Sequence, residues 1–201
     1  MSAVRLYAVA TLGHAGRVAA DGAQVIGYRE LGALVAPGPF APMEASEPDV
    51  AAYQRAVDAA FMRGAVLPAP YGTVFRSADQ VRHWLEQNYI ALLEGIHFVA
   101  GRCETRVHIT AVSGTTETPA GELASTATEC VRLLRRQAVA TVPLRAERNE
   151  EVLGGAFLIQ QDRWAEFADQ VQEQSRRHPE LSFEQTGPWP PYDFVRLEFG
   201  A

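Results

Sequence analysis

The sequence predicts an α+β fold in two lobes, and three observations carry that expectation. A chain of 201 residues can bury one large core or two cores of about 100 residues each. Apolar residues recur every 3.6 positions in some stretches and alternate in others, so helices and half-buried strands are both expected. After Gly101 the rhythm runs strand, helix, strand, strand, helix, strand. That β-α-β-β-α-β order is the split βαβ, or ferredoxin-like, arrangement. The expected division is an N-terminal α+β domain over residues 1–100, ending in a long bridging helix, and a C-terminal ferredoxin-like domain over residues 101–201.

The first half opens on a short apolar strand, Arg5–Ala10, with Gly13, Gly16 and Gly22 marking turns. Gln24–Tyr28 and Ala33–Ala36 read as two further strands across a Gly-containing turn. Pro37-Gly38-Pro39 and Pro42 make a stiff loop. Pro48 suits the first turn of a helix, with Ser46 or Glu47 ahead of it. Val50, Tyr53, Val57 and Phe61 share one face of that helix, and Gly64 stops it. In Ala65–Arg76 two prolines forbid a central strand, leaving an extended edge or loop. Ser77 with Gln80 three residues on forms a capping box for a helix over Ala78–Ile96. Its apolar stripe is Val81, Leu85, Tyr89, Leu92 and Ile96.

In the second half, Glu104–Val112 alternates, with Val107, Ile109 and Ala111 opposite Arg106, His108 and Thr110. Gly114–Thr118 is a loop, and Thr118-Pro119 begins a helix as N-cap and first position. Leu123, Ala127, Cys130 or Val131, Leu134 and Ala138 line its buried side. Ala138–Leu144 is a strand, Arg145–Glu151 a polar link and Ala156–Gln160 the next strand. Asp162 caps a helix with Trp164, Phe167, Ala168 and Val171 inward, and His178-Pro179 ends it. Leu181–Thr186 is the fourth strand, Gly187–Tyr192 a turn, and Asp193–Phe199 a terminal strand carrying Val195, Leu197 and Phe199 on one side.

Composition narrows the function. The chain carries 18 basic and 24 acidic side chains, a formal charge of −6, and every basic residue is arginine. With no lysine there is no Walker A, Schiff-base or general-base lysine. Residues 1–100 hold 7 basic and 9 acidic side chains and residues 101–201 hold 11 and 15, so neither half offers the cationic footprint of nucleic-acid binding. Arg132, Arg135, Arg136, Arg176 and Arg177 fall late in helical patterns, where cations complement the helix dipole. No apolar run approaches the ~18 residues that cross a bilayer, and Leu6–Ala10 is too short for a signal core. No membrane association is expected, and a cytoplasmic location is.

The search for chemistry predicts a non-enzymatic protein without cofactor or metal. Cys103 and Cys130 stand 27 positions apart, outside metal-site spacing, and His14, His83, His97, His108 and His178 show no i, i+4 pair. Glu104, Arg106 and His108 share one face of a strand, which reads as a solvated face with local ion pairing. Glu150-Glu151 reads as a solvated pair of carboxylates in a linker. Two segments stand out for Pro, Gly and aromatic content: Val66–Arg76 and Thr186–Val195. Prolines on both sides of Trp189 pre-set its backbone. They predict that Trp189 docks on the core of its lobe, with an exposed partner anchor as the other reading.

The stretch Val66-Leu67-Pro68-Ala69-Pro70-Tyr71-Gly72-Thr73-Val74-Phe75-Arg76 resembles a "VLP-x-x-fGTvf" stretch of the GvpL/GvpF gas vesicle proteins. Ala156-Phe157-Leu158-Ile159, Phe167, His178-Pro179 and Thr186-Gly187-Pro188-Trp189-Pro190-Pro191-Tyr192-Asp193-Phe194-Val195 resemble that family's ending, and Leu6-Tyr7-Ala8-Val9 its first strand. Tyr53-Gln54 stands where many members carry a histidine, and Asp193 where serine is common. The resemblance implies two α+β lobes, the second a modified ferredoxin-like fold. It implies an accessory or minor structural protein, cytoplasmic and associated with gas vesicles. Its implied partners are the small hydrophobic shell protein GvpA and other accessory gas vesicle proteins. The motif residues Pro68, Tyr71, Gly72, Phe75, Arg76, Pro188, Trp189, Pro190, Pro191 and Tyr192 are the candidate partner-binding set. The alternative class is a ferredoxin-like small-molecule sensor or enzyme, with a pocket between sheet and helices.

Overall fold

The structure, a computed structural model, describes residues 3–18, 23–40, 46–112, 119–146 and 151–199. The chain divides into two units, Met1–Gly101 with Pro190–Ala201, and Arg102–Trp189. The expected second domain, 101–201, therefore loses its last residues to the first unit. The reason is packing: Val195 and Leu197 lie against the first unit's core, and the carbonyl of Glu198 accepts from Trp84 Nε1 at 2.8 Å. The expected terminal strand is absent; Tyr192–Phe194 is a short 3-10 turn, and residues 195–199 are irregular.

In the first unit β1 (Val4–Thr11), β2 (Gln24–Tyr28), β3 (Leu31–Pro37), β4 (Leu67–Pro68) and β5 (Val74–Phe75) form an antiparallel sheet of order β2-β3-β1-β4, with β5 also pairing β1. The Pro-rich segment is thus an edge of two short strands, because Pro68 and Pro70 cannot donate to a longer ladder. A register shift between Leu6 and Ala8 turns Tyr7 and Ala8 to the same side. Val4, Leu6 and Val9 then serve one core, while Ala8, Ala10 and Tyr7 serve the other.

Helix α1 (Leu12–Val18) replaces the turn expected at Gly13 and Gly16. His14 and Ala15 are buried under it, and Ala15 packs so close to Gly32 that a Cβ there would meet Ala15 Cβ at 2.6 Å. That packing outweighs the weak helix propensity of two glycines. Gly22 and Pro42 lie outside the described residues. Helix α2 (Glu47–Phe61) has Ser46 as N-cap, its Oγ accepting from Asp49 N, and buries Tyr53, Val57 and Ala60. The single helix expected over Ala78–Ile96 is two, α3 (Ala78–Gln87) and α4 (Tyr89–Val99). The break is Asn88, whose side-chain amide donates to Trp84 O at 2.9 Å. Neither helix bridges the units; Val81, Trp84, Leu85, Leu92, Ile96 and Val99 all sit in the first unit's core. Ser77 Oγ caps Gln80 N as expected, whereas Gln80 Oε1 accepts from Arg76 N, one residue before the capping-box position.

The second unit follows the expected order: β6 (Arg102–Ala111), α5 (Ala120–Arg135), β7 (Ala140–Leu144), β8 (Glu151–Gln160), α6 (Trp164–Arg177) and β9 (Leu181–Trp189). Its sheet order is β7-β8-β6-β9, every pair antiparallel. Two split βαβ units interleave, as a ferredoxin-like fold requires. Helix α5 buries Leu123, Ala127, Cys130 and Leu134, so Cys130 rather than Val131 points inward. Thr118 and the loop before it lie outside the described residues. Asp162 does not cap α6; it sits in a 3-10 turn, Gln161–Arg163, and α6 buries Phe167, Val171 and Gln174. The final strand runs three residues beyond expectation, through a bulge in which Arg106 faces Thr186 and Glu104 faces Trp189. Gly187 in that bulge has φ +119, and a Cβ there would lie 2.9 Å from Glu104 O. Only glycine suits that backbone.

Candidate partner-binding surface

Within the first unit the structure brings together motif residues far apart in the chain. Tyr53, buried on α2, receives Tyr7 at a ring-centroid distance of 5.9 Å, Tyr71 at 5.6 Å and Tyr192 at 6.4 Å. Its hydroxyl donates to Ala69 O at 2.5 Å, and burial pushes its pKa up to about 12. The Tyr71 hydroxyl, also buried, has no hydrogen-bond partner among the described residues. Pro68, Pro190 and Pro191 are buried and Gly72 is an exposed turn residue with φ +85. These residues therefore frame a core junction more than a surface. Pro188 and Trp189 belong to the other unit.

Trp189 corrects the expectation of a docked ring: it is 41% exposed, and its Nε1 donates to Thr186 Oγ1 at 3.1 Å. The cause is the extension of β9. Trp189 ends an edge strand paired with Glu104, where the sequence suggested a turn folding inward.

The first unit also has an open groove of about 410 Å³, lined by Phe40, Thr73, Val74, Phe75, Arg76, Gln80 and Phe199. Phe75 is its buried floor. That ring lies 5.6 Å from Trp84 and 5.9 Å from Phe199, and Trp84 stacks on Phe199 at 5.2 Å and 19°. Phe40 and Phe199 are 57% and 37% exposed. The guanidinium of Arg76 lies 5.1 Å over the Phe40 ring. The sequence placed Phe199 only on one side of an expected terminal strand and gave Phe40 no role. A lone phenylalanine in a Pro/Gly loop was the one available signal for Phe40.

The charged face of β6 is paired, as expected, but not solvated. Glu104 is fully buried and its Oε1 accepts from Arg106 Nε at 2.8 Å. His108 Nδ1 lies 2.7 Å from Glu151 Oε1, and the Glu151 side chain is 1% exposed. Strand β8 starts at Glu151, so this carboxylate joins the sheet instead of the linker. Burial pushes the Cys103 thiol up to about 11 and Cys130 up as well, which leaves both protonated and unreactive near neutral pH. Among the described residues no group of three or more His, Cys, Asp or Glu could hold a metal ion, and no helix is long and apolar enough to cross a membrane.

The family model described as "Gas vesicle synthesis protein GvpL/GvpF" matches residues 4–122 and 115–196. The chain is 25% identical over 189 residues to gas vesicle protein F2 of Halobacterium salinarum, covering 92% of this chain and 86% of that protein. It is 23% identical over 194 residues to gas vesicle protein F1 of the same organism, covering 92% and 87%. The crystal structure of the gas vesicle protein GvpF from an Anabaena species superposes with a TM-score of 0.84 at 18% identity, over 100% of this chain and 99% of that one. The GvpF crystal structure from Microcystis aeruginosa gives 0.76 at 13% identity, over 98% and 100%.

Proposed function

We propose a function from one premise: the chain belongs to the gas vesicle synthesis protein GvpL/GvpF family. It acts as a non-enzymatic accessory and minor structural protein that binds the shell protein GvpA, works beside other accessory gas vesicle proteins, and supports vesicle assembly in the cytoplasm. The observation that carries this reading is the extent of the family match, which includes nearly all of both units. The physics supports it. Shell subunits expose large apolar surfaces before they assemble, and such patches associate without control. An acidic protein of net charge −6 with an open aromatic groove can cover a patch and stay dispersed by its own charge.

Co-expression of the tagged full chain with GvpA tests the reading. GvpA is expected to co-purify with the chain and to accumulate as aggregate without it. Recovery of the chain alone, with GvpA aggregating equally in both cultures, would sink the proposal.

A further inference from the structure

We infer that the groove of Phe40, Phe75 and Phe199 docks an apolar segment of GvpA whose carboxylate pairs with Arg76. This rests on the shell-binding reading and adds where the partner sits and what recognises it.

The groove is built before any partner arrives. Strand β5 fixes its floor by pairing Val4 with Phe75 and Arg5 with Val74. The stacked rings of Trp84 and Phe199 back that floor. The backbone N–H of Arg76 is held by Gln80 Oε1 at 2.9 Å. Preorganised rings lose little freedom on binding, which is why aromatic anchors dominate interface energetics.

Arg76 gives the groove its selectivity. Among the described residues it is the only formally charged one lining the groove. Arg82, Arg132, Arg163, Arg176 and Arg177 each pair with a carboxylate three or four residues away in sequence. Arg76 has no carboxylate partner among the described residues; its guanidinium carbon lies 5.1 Å from the centre of the Phe40 ring instead. A guanidinium is more weakly hydrated than an ammonium, and one held over an aromatic ring still offers N–H groups to a bidentate carboxylate. In a chain of net charge −6, a cation between the exposed rings of Phe40 and Phe199 is a complementary site for a carboxylate. A basic or uniformly apolar segment leaves that guanidinium unanswered, whereas an apolar segment with one carboxylate satisfies both rings and charge.

The test uses the full chain co-expressed with GvpA, comparing wild type with Arg76→Glu, Arg76→Lys and Phe40→Ala. Arg76→Glu and Phe40→Ala are expected to lower GvpA recovered per chain by about tenfold, the effect of losing one interface anchor. Arg76→Lys keeps the charge without the planar fork and should fall in between. Wild-type recovery should drop as salt rises to about 0.5 M, and recovery with Arg76→Glu should not, because screening acts on the ion pair. Both positions are exposed, so thermal midpoints should match wild type. If wild type captures GvpA and both variants keep it within about twofold, the groove is not the dock. If wild type captures none, the shell-binding reading falls and this inference with it.

Discussion

Trp84 donates its indole N–H to the carbonyl oxygen of Glu198 at 2.8 Å, across 114 positions of sequence. The same indole stacks on Phe199 and touches Phe75. One side chain thus ties α3, the groove floor and the chain's last described residues into the first unit. An irregular segment without ladder hydrogen bonds needs such ties to be held.

Graded substitutions at Trp84 should separate the two contributions. Trp84→Phe removes the donor and part of the stack and should cost about 1–2 kcal/mol. Trp84→Ala opens a cavity at a site only 5% exposed and should cost about 3–5 kcal/mol. Chemical denaturation midpoints of the two variants check this; equal losses would mean that the ring's volume contributes nothing beyond the hydrogen bond.

Tyr53 and Tyr71 allow the same chemical change with opposite expected outcomes. Tyr53→Phe leaves Ala69 O without its 2.5 Å donor and should cost about 1–2 kcal/mol. Tyr71→Phe deletes a buried hydroxyl that has no partner among the described residues, so stability should hold or rise by up to about 1 kcal/mol. A Tyr71→Phe variant as destabilised as Tyr53→Phe would show that the Tyr71 hydroxyl is satisfied.

The second unit was the more legible in sequence, because its elements come in the order in which they pack. Alternation in β6 and the 3.6-residue stripes of α5 and α6 need no distant information. Caps at Ser46 and Ser77 were equally local. The misses share one physical cause. The stripe Val81-Leu85-Tyr89-Leu92-Ile96 runs unbroken through Asn88, so the end of α3 left no mark on the pattern. Val195, Leu197 and Phe199 alternate like a strand, yet alternation selects a buried face and supplies no ladder partner. Gly13 and Gly16 read as a turn until the contact of Ala15 with Gly32 is known. The groove was illegible because Phe40 and Phe199 become neighbours only through the first unit's tertiary packing.

Burial lifts the Cys103 thiol from 9.0 to about 11 in the fold, and Cys130 moves in the same direction. As pH rises through 9 the unfolded chain releases these protons while the folded chain keeps them, so deprotonation pulls toward unfolding. For Cys103 the stabilisation is complete below about pH 9 and is lost by about pH 11. For Cys103, at 1% exposure, the rise from 9.0 to about 11 corresponds to roughly 2–3 kcal/mol. Tyr53 adds a loss of the same sign that begins only near pH 10 and runs to about 12. Between pH 9 and 10 the thiols therefore dominate. Urea midpoints measured from pH 8 to 10.5 should fall steadily for wild type. For Cys103→Ala they should start about 1 kcal/mol lower, from the lost sulfur packing, and decline less steeply. Parallel declines in the two proteins would show that the Cys103 thiol does not carry the alkaline limb.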